Sequence, residues 1–436
     1  MAAVALIALI SLFAVACGGS SSKSTPTASA GNTASSSSPG ATGSSATGSS
    51  TANGDLASKL ASIKGDTTGV TDSSVTFGTY YALTGPAAIY APITDAWKAY
   101  FDNVNANGGI AGRQIKFNIC DDGYNPTNTV TCVNKLIQQD NVFAIYSGLG
   151  TPPSNAALPL VQAAGVPSLF INSGDNKWGK SGDSIIGFQP DYVTEGTVLG
   201  KFAAQNYADK KFAIIYQNDD FGKEGEQGLK AGLGDLTKNI VDEETYEANA
   251  TDWNAQATKA VSKGAQVMLI FSTPTQYAAG PKYQKAQGKD LVWIASSVAA
   301  SSSTAKLAQG AMDGTFTGGY LPDPTDPSPN VQKVVTFLKA HGVTNVTAFS
   351  LFGYTIAQML DHLLTVTGKN LNRSSIEYAL QNGAFDGTFK PDLMEVAPKV
   401  TKDSMYPVQY EFIQKWDEAQ GKFVKVGNTI DLSKGG

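Results

Sequence analysis

Histidine is almost missing from this chain: of 436 residues only His341 and His362 are histidine. Neither has a Cys, Glu or second His at ligand spacing, so a histidine-based metal centre or a histidine-activated nucleophile lacks its parts. Cysteine is scarce too, with three residues, Cys17, Cys120 and Cys132. Positive charge is not in excess: 32 Lys and Arg stand against 37 Asp and Glu, a net charge of −5 with no basic stripe. That balance argues against a nucleic-acid partner. Cofactor signatures are incomplete. The loop Ser147-Gly148-Leu149-Gly150-Thr151 lacks the third glycine of a dinucleotide turn and runs into Pro152-Pro153. The segment from Asp121 to Cys132 begins like a calcium loop but has neither Gly at its sixth position nor Glu at its twelfth. No enzyme, cofactor or metal is expected.

The segment 18–54 lacks aromatic residues and any Leu, Ile or Val, and its only charge is Lys23. A Ser/Gly/Thr/Ala tract of this kind is expected to be a disordered linker, reaching about 35 Å as a flexible coil. Before it, residues 1–16 are apolar except for Ser11, too short to span a bilayer but suited to a cleaved export signal. Small residues ahead of Cys17, and Gly18-Gly19 after it, resemble a bacterial lipobox, in which the thiol is acylated and becomes the new N-terminus. The alternative is an ordinary secretory signal with an incidental cysteine. Ala14 stands where Leu is usual, and no Lys or Arg precedes the apolar run, which suggests a start codon placed too late. Residues 1–17 are thus expected to be a signal and lipidation cysteine, holding the protein outside the membrane. In that compartment the remaining pair, Cys120 and Cys132, is expected to form a disulfide; two small buried thiols are the alternative.

From about 56 onward the chain alternates β and α and is too long for one ordinary domain. Strands are expected over 75–83, 114–120, 142–146 and 166–171, with helices over 92–105, 127–139 and 154–164. The pattern restarts after Phe188-Gln189-Pro190. Helices are then expected over 193–207, 222–233, 253–263 and 277–287, with strands over 212–216, 240–246, 267–271 and 291–295. Consecutive β-branched and apolar residues within short strands fit a parallel sheet covered on both faces. Helices near 331–341, 349–367 and 375–381 precede a hairpin, 409–416 with 423–426. The fold class is α/β: two Rossmann-like lobes, each a parallel sheet flanked by helices. The first takes residues 70–189 plus 320–383, the second 190–319 plus 384–430.

Four motifs sharpen this reading: Leu83-Thr84-Gly85-Pro86; Asn103 with Asn107-Gly108-Gly109-Ile110-Ala111-Gly112-Arg113; Asp121-Asp122 with Asn125-Pro126; and Gln217-Asn218-Asp219-Asp220-Phe221-Gly222. In order and spacing they resemble the branched-chain amino-acid and amide class of type I solute-binding proteins of ABC importers, over residues 75 to about 416. The resemblance implies lobes joined by a three-segment hinge, closing over a small molecule that is passed to a membrane permease, with the protein working as a monomer. A ligand sensor of the same fold, signalling to a membrane receptor, is the alternative.

The loop at Thr151 and Ser154 lies between a strand and a helix start, where N–H groups and hydroxyls favour a carboxylate or carbonyl; simple N-capping is the other reading. By similarity Ser173, Gly174 and Asn176 add anion-facing groups, Tyr90 lines the cleft, Phe221 closes over the ligand and Phe349 forms an apolar wall. Trp178 is expected at the rim, or else packing its loop. Amino-acid-binding members place an acidic residue near the position of Ala250 to meet an ammonium group. Either Glu247 or Asp219 substitutes for it here, or the ligand is not an α-amino acid.

Overall fold

The computed structural model describes residues 50–434 except 181, 183, 251, 402 and 403. The expected signal, Cys17 and most of the linker lie outside the described residues. The described residues begin with α1 (Ser50–Ser62), which takes in positions 50–54 of the expected linker. In the first lobe follow β1 (Ser74–Tyr81), α2 (Pro92–Ala106), β2 (Gln114–Asp121), α3 (Pro126–Gln138), β3 (Ala144–Tyr146), α4 (Thr151–Ala163), β4 (Ser168–Ile171) and β5 (Ile185–Gly187). The second lobe contains α5 (Tyr192–Asn206), β6 (Phe212–Gln217), α6 (Asp220–Leu233), β7 (Ile240–Tyr246), α7 (Asn254–Ser262), β8 (Val267–Phe271), α8 (Pro274–Ala286), β9 (Val292–Ala295), α9 (Ser302–Ala308) and β10 (Phe316–Gly319). The chain then returns through α10 (Pro329–Ala340), α11 (Ala348–Thr367) and α12 (Arg373–Gln381) to the first lobe, and ends with β11 (Tyr410–Asp417) and β12 (Lys422–Asp431) in the second.

The first sheet has five strands in the order β2-β1-β3-β4-β5, all parallel. The second has seven, β12-β11-β10-β9-β8-β6-β7. Its last two strands form the expected hairpin, and β11 runs antiparallel to β10, so this sheet is mixed rather than wholly parallel. Alternation along β8 shows why the strands read as apolar throughout. Val267, Leu269 and Phe271 enter the core under α5 and α6, while Met268 and Ile270 enter the core under α7 and α8.

Local chemistry sets the helix starts. Asn125 accepts from the N–H groups of Thr127 and Asn128 with Pro126 in the first turn, and Thr347 and Asn372 form capping boxes with Ser350 and Ser375. Helix α4 starts at Thr151, three residues before the expected Ser154, because Pro152 and Pro153 fit a first turn that needs no N–H. Pro274 likewise starts α8 ahead of the expected residue 277. Cys120 and Cys132 are joined by a disulfide, with their Cα atoms 5.7 Å apart, tying the end of β2 to α3.

Three crossings connect the lobes, near residues 188–191, 319–321 and 408–410. They are bonded together: Val408 N–H donates to Phe188 O at 3.3 Å, and Tyr410 OH donates to Tyr320 O at 2.7 Å. The expected boundary at residue 384 is corrected. Ala384, Phe385, Met394 and Val400 are buried in the first lobe's core, and the Phe385 ring lies 5.9 Å from Phe170. The final crossing therefore comes at about residue 409. Helix α1 is fastened to the same lobe: Asn370 Nδ2 donates to Leu60 O at 2.6 Å and Ile63 O at 2.7 Å, and Arg373 pairs with Asp66 at 2.5 Å. Among the described residues no helix is long and apolar enough to cross a membrane.

Candidate functional site: a cleft between the lobes

The carboxyl ends of the two sheets face each other across a cavity of about 90 Å³, room for several water molecules or a ligand of modest size. From the first lobe, Tyr90, Ile93, Tyr124, Leu149, Gly150, Thr151 and Asn172 line it, with Phe349 and Phe352 at the start of α11. Phe221, Thr273, Ser297, Val298 and Gln414 line it from the second. Gln189, Tyr192 and Tyr320 come from the hinge region. Among the described residues that line it there is no Asp, Glu, Lys, Arg or His.

Tyr90 and Phe349 pack edge to face with centroids 4.8 Å apart, and Tyr90 OH donates across the cleft to Val298 O at 3.1 Å. Gly150 stands at φ 91°, a conformation that costs glycine little, and a Cβ there would run into the Tyr124 ring. That ring is thus seated on the turn that opens α4. Burial drives the Tyr124 phenol well above its ordinary pKa, with Asp219 adding to the effect, so it stays protonated as a donor.

The turn expected to receive a carboxylate or carbonyl offers fewer donors than its sequence implies. Pro152 and Pro153 have no N–H, Gly150 N–H is bonded to Asn172 O, and Ser154 N–H to Gly150 O. Only the Thr151 N–H is left for a ligand from that turn. The Thr151 hydroxyl shares a 2.7 Å hydrogen bond with the buried Ser173 hydroxyl. Asn172 donates through Nδ2 to Ser147 Oγ at 3.0 Å and Tyr81 OH at 3.3 Å, and its Oδ1 has no partner. Ser297 Oγ, in the opposite wall, has the Glu195 carboxyl beside it.

Of the residues expected at the site, Tyr90, Thr151, Phe221 and Phe349 line the cavity. Ser173 lies directly behind Thr151. Gly174 is a step further back, its carbonyl taking the Tyr192 N–H at 2.8 Å. Two expectations are corrected. Ser154 turns into the core, where its Oγ accepts from Tyr80 OH at 2.9 Å. Trp178 is not a rim residue: it is 0% exposed and its indole N–H donates to Ser173 O at 3.0 Å. Its polar neighbours Asn176 and Lys177 disguised a buried ring. Neither acidic substitute reaches the cavity lining. Asp219 caps α6 through Gly222 N–H, and exposed Glu247 accepts from Asn218 at 2.7 Å.

Asn176 belongs to the contact between lobes. Its N–H donates to Glu224 of α6 at 3.1 Å, while Lys177 pairs with Asp220 at 2.5 Å and Asn155 donates to Asp220 at 3.0 Å. Burial, then the Asp175 charge, pushes Glu224 up to about 8. The two histidines serve structure. His341 stacks on Phe337, and His362 stacks on Phe389 with Nε2 2.7 Å from Ala384 O. Among the described residues no group of three or more His, Cys, Asp or Glu could hold a metal ion.

Residues 74–417 match the family model described as periplasmic binding protein. The Leu/Ile/Val-binding protein homolog 1 of Brucella suis biovar 1 is 25% identical over 369 residues, covering 80% of this chain and 93% of that relative. A branched-chain amino acid ABC transporter from Thermus thermophilus, solved with bound valine, superposes with a TM-score of 0.75 at 17% identity, covering 83% of this chain and 97% of that one. A solute-binding protein of an ABC transporter from Rhodopseudomonas palustris BisB5, in complex with 3,4-dihydroxybenzoic acid, gives a TM-score of 0.71 at 20% identity, covering 83% and 98%.

Proposed function

Because the chain belongs to the periplasmic binding protein family, a family of solute-binding proteins and not of enzymes, we propose that it captures a small solute between its lobes and delivers it to an ABC permease. In this reading the ligand has an apolar or aromatic body and a carboxylate or amide end, and no ammonium group. The observation that carries it is that the described residues lining the cleft include no charged side chain. A buried ammonium without an anion is costly, so a free α-amino acid has no counter-charge here. The edge-to-face pair Tyr90–Phe349 and the ring of Phe221 suit a flat or branched apolar body. The Thr151 N–H can meet an oxygen, and Asn172 Oδ1 and Ser297 Oγ can accept from an amide.

A ligand that binds only the folded state raises the melting temperature by mass action. The test is a thermal-shift panel of benzoate, 3,4-dihydroxybenzoate, benzamide and octanoate against valine, leucine and isoleucine. Stabilisation by a branched-chain amino acid alone would overturn the ligand class. We further propose anchoring through lipid on Cys17, which mass spectrometry of the intact protein from a bacterial host tests directly. A diacylglyceryl adduct on Cys17 is expected, and cleavage elsewhere with a free thiol would refute it.

A further inference from the structure

Directly behind the second-lobe wall of the cleft, two glutamates converge where one would expect apolar packing. Glu195 is in the first turns of α5 and Glu411 is the second residue of β11; both are 0% exposed. They meet over Gly318 of β10. A Cβ at that glycine would collide with Glu411 Oε1 and sit 3.2 Å from Glu195 Oε1, so only glycine leaves space for both carboxyl groups. Glu195 Oε1 accepts the Ser297 N–H at 2.5 Å. Glu195 Oε2 and both oxygens of Glu411 have no partner.

Among the described residues no cation acts on the pair. It meets Asp191, which caps α5, Tyr192 from α5 and Tyr320 from the hinge. The turn after β9 and strand β10 contribute the neutral Ser297 and Gly318. Two adjacent carboxylates without a counter-ion cannot both remain charged in a buried site.

We propose that Glu195 and Glu411 hold one proton between them and that Glu195 is a positioning residue, fixing through Ser297 the wall that Tyr90 touches when the lobes are together. The Ser297–Ala300 turn carries the Val298 carbonyl that receives Tyr90 OH, and Ser297, Val298 and Ala300 all line the cavity. The protonation state of the pair is therefore transmitted to the cleft without either carboxyl touching the ligand.

Burial raises Glu195 to about 7 and Glu411 well above its ordinary range. Both folded values exceed the unfolded one. Their contribution to stability is thus complete below about 4.5 and is lost as pH rises through the folded values. Each linked proton lowers the folding constant by about tenfold per pH unit inside that window. Glu224 titrates in an overlapping range, so global stability alone does not isolate the pair.

The decisive experiment follows the Ser297 amide by NMR in the ligand-free, full-length chain from about pH 5 to about pH 9, with unfolding measured in parallel. The expected result is a titration of that amide with a midpoint of about 7, abolished in Glu195→Gln and retained in Glu411→Gln, which mimics the protonated carboxyl. In a Glu224→Gln background each glutamine substitution should remove about one proton's worth of pH slope from the unfolding free energy. An amide that does not titrate, or glutamine variants that keep the parent slope, would overturn the proposal. A midpoint that moves with sodium or potassium at constant ionic strength would show a bound cation instead. Should a variant not fold, the titration of the parent amide still decides. No ligand enters the experiment, so its outcome is separate from that of the transport reading.

Discussion

Across the outer edge of the cleft Lys177 meets Asp220 and Asn176 meets Glu224, whereas the interior a few residues away is lined by tyrosines, phenylalanines and neutral polar groups. Both regions bridge the lobes, but they respond to different variables. The Lys177–Asp220 pair is 44% exposed on both sides, so it is screened by salt and worth little. Interior contacts such as Tyr90 OH to Val298 O are shielded and directional. On the proposed function, the rim adjusts how readily the lobes meet and the interior decides what they meet around. A ligand shifts the closing equilibrium only by its differential affinity for the closed form, which only the interior can supply.

The contrast predicts effects of graded size. Tyr90→Ala removes a ring and a bridge between lobes and should weaken binding of the panel's best ligand by about two decades in calorimetry. Tyr90→Phe, which loses only the hydroxyl, should cost at most about one decade. Thr151→Ala removes the hydroxyl that bonds Ser173 at the cleft wall, while Ser173 keeps the Asp175 N–H, and should cost about one decade, with the melting temperature of the free protein nearly unchanged. If Tyr90→Ala and Thr151→Ala both bind as the parent does, the interior is not the binding site.

At the rim the effect is one of pH. The folded value of Glu224, about 8, exceeds its ordinary 4.5. Its contribution to stability is thus full below about 4.5 and lost as pH rises through about 8, and Glu224→Gln should flatten that part of the unfolding profile. Lys177→Ala should have the smallest effect: less than about a fivefold change in affinity, vanishing in high salt. A large, salt-independent loss from Lys177→Ala would erase the distinction between rim and interior.

The two-lobed α/β architecture was legible because buried parallel strands are apolar on both faces, as Val267–Phe271 illustrates. Where side chains were small or strands short, the pattern failed: β10, Phe-Thr-Gly-Gly, and β5, Ile-Ile-Gly, went unseen. The segment after Ala384 carries no helix or strand signal in its sequence, and its place in the first lobe shows only in contacts such as Phe385 with Phe170. In the cleft, lining residues at a strand end or helix start, Thr151, Phe221 and Phe349, could be found from sequence. Tyr124 could have been, since it follows Asp121-Asp122-Gly123 at the end of a strand. Tyr192, Tyr320 and Gln414 could not, because their place depends on how three distant crossings come together.

The fastening of α1 has a mechanical consequence. Leu60 and Ile63 carbonyls are gripped by Asn370, and Asp66 by Arg373, all within one lobe and away from the crossings near residues 188, 320 and 409. A pull arriving at α1 would meet these bonds before it met any of the crossings. Were the chain held from that end, the first lobe would be the fixed jaw of a clamp, and the work of moving the second would be independent of the load.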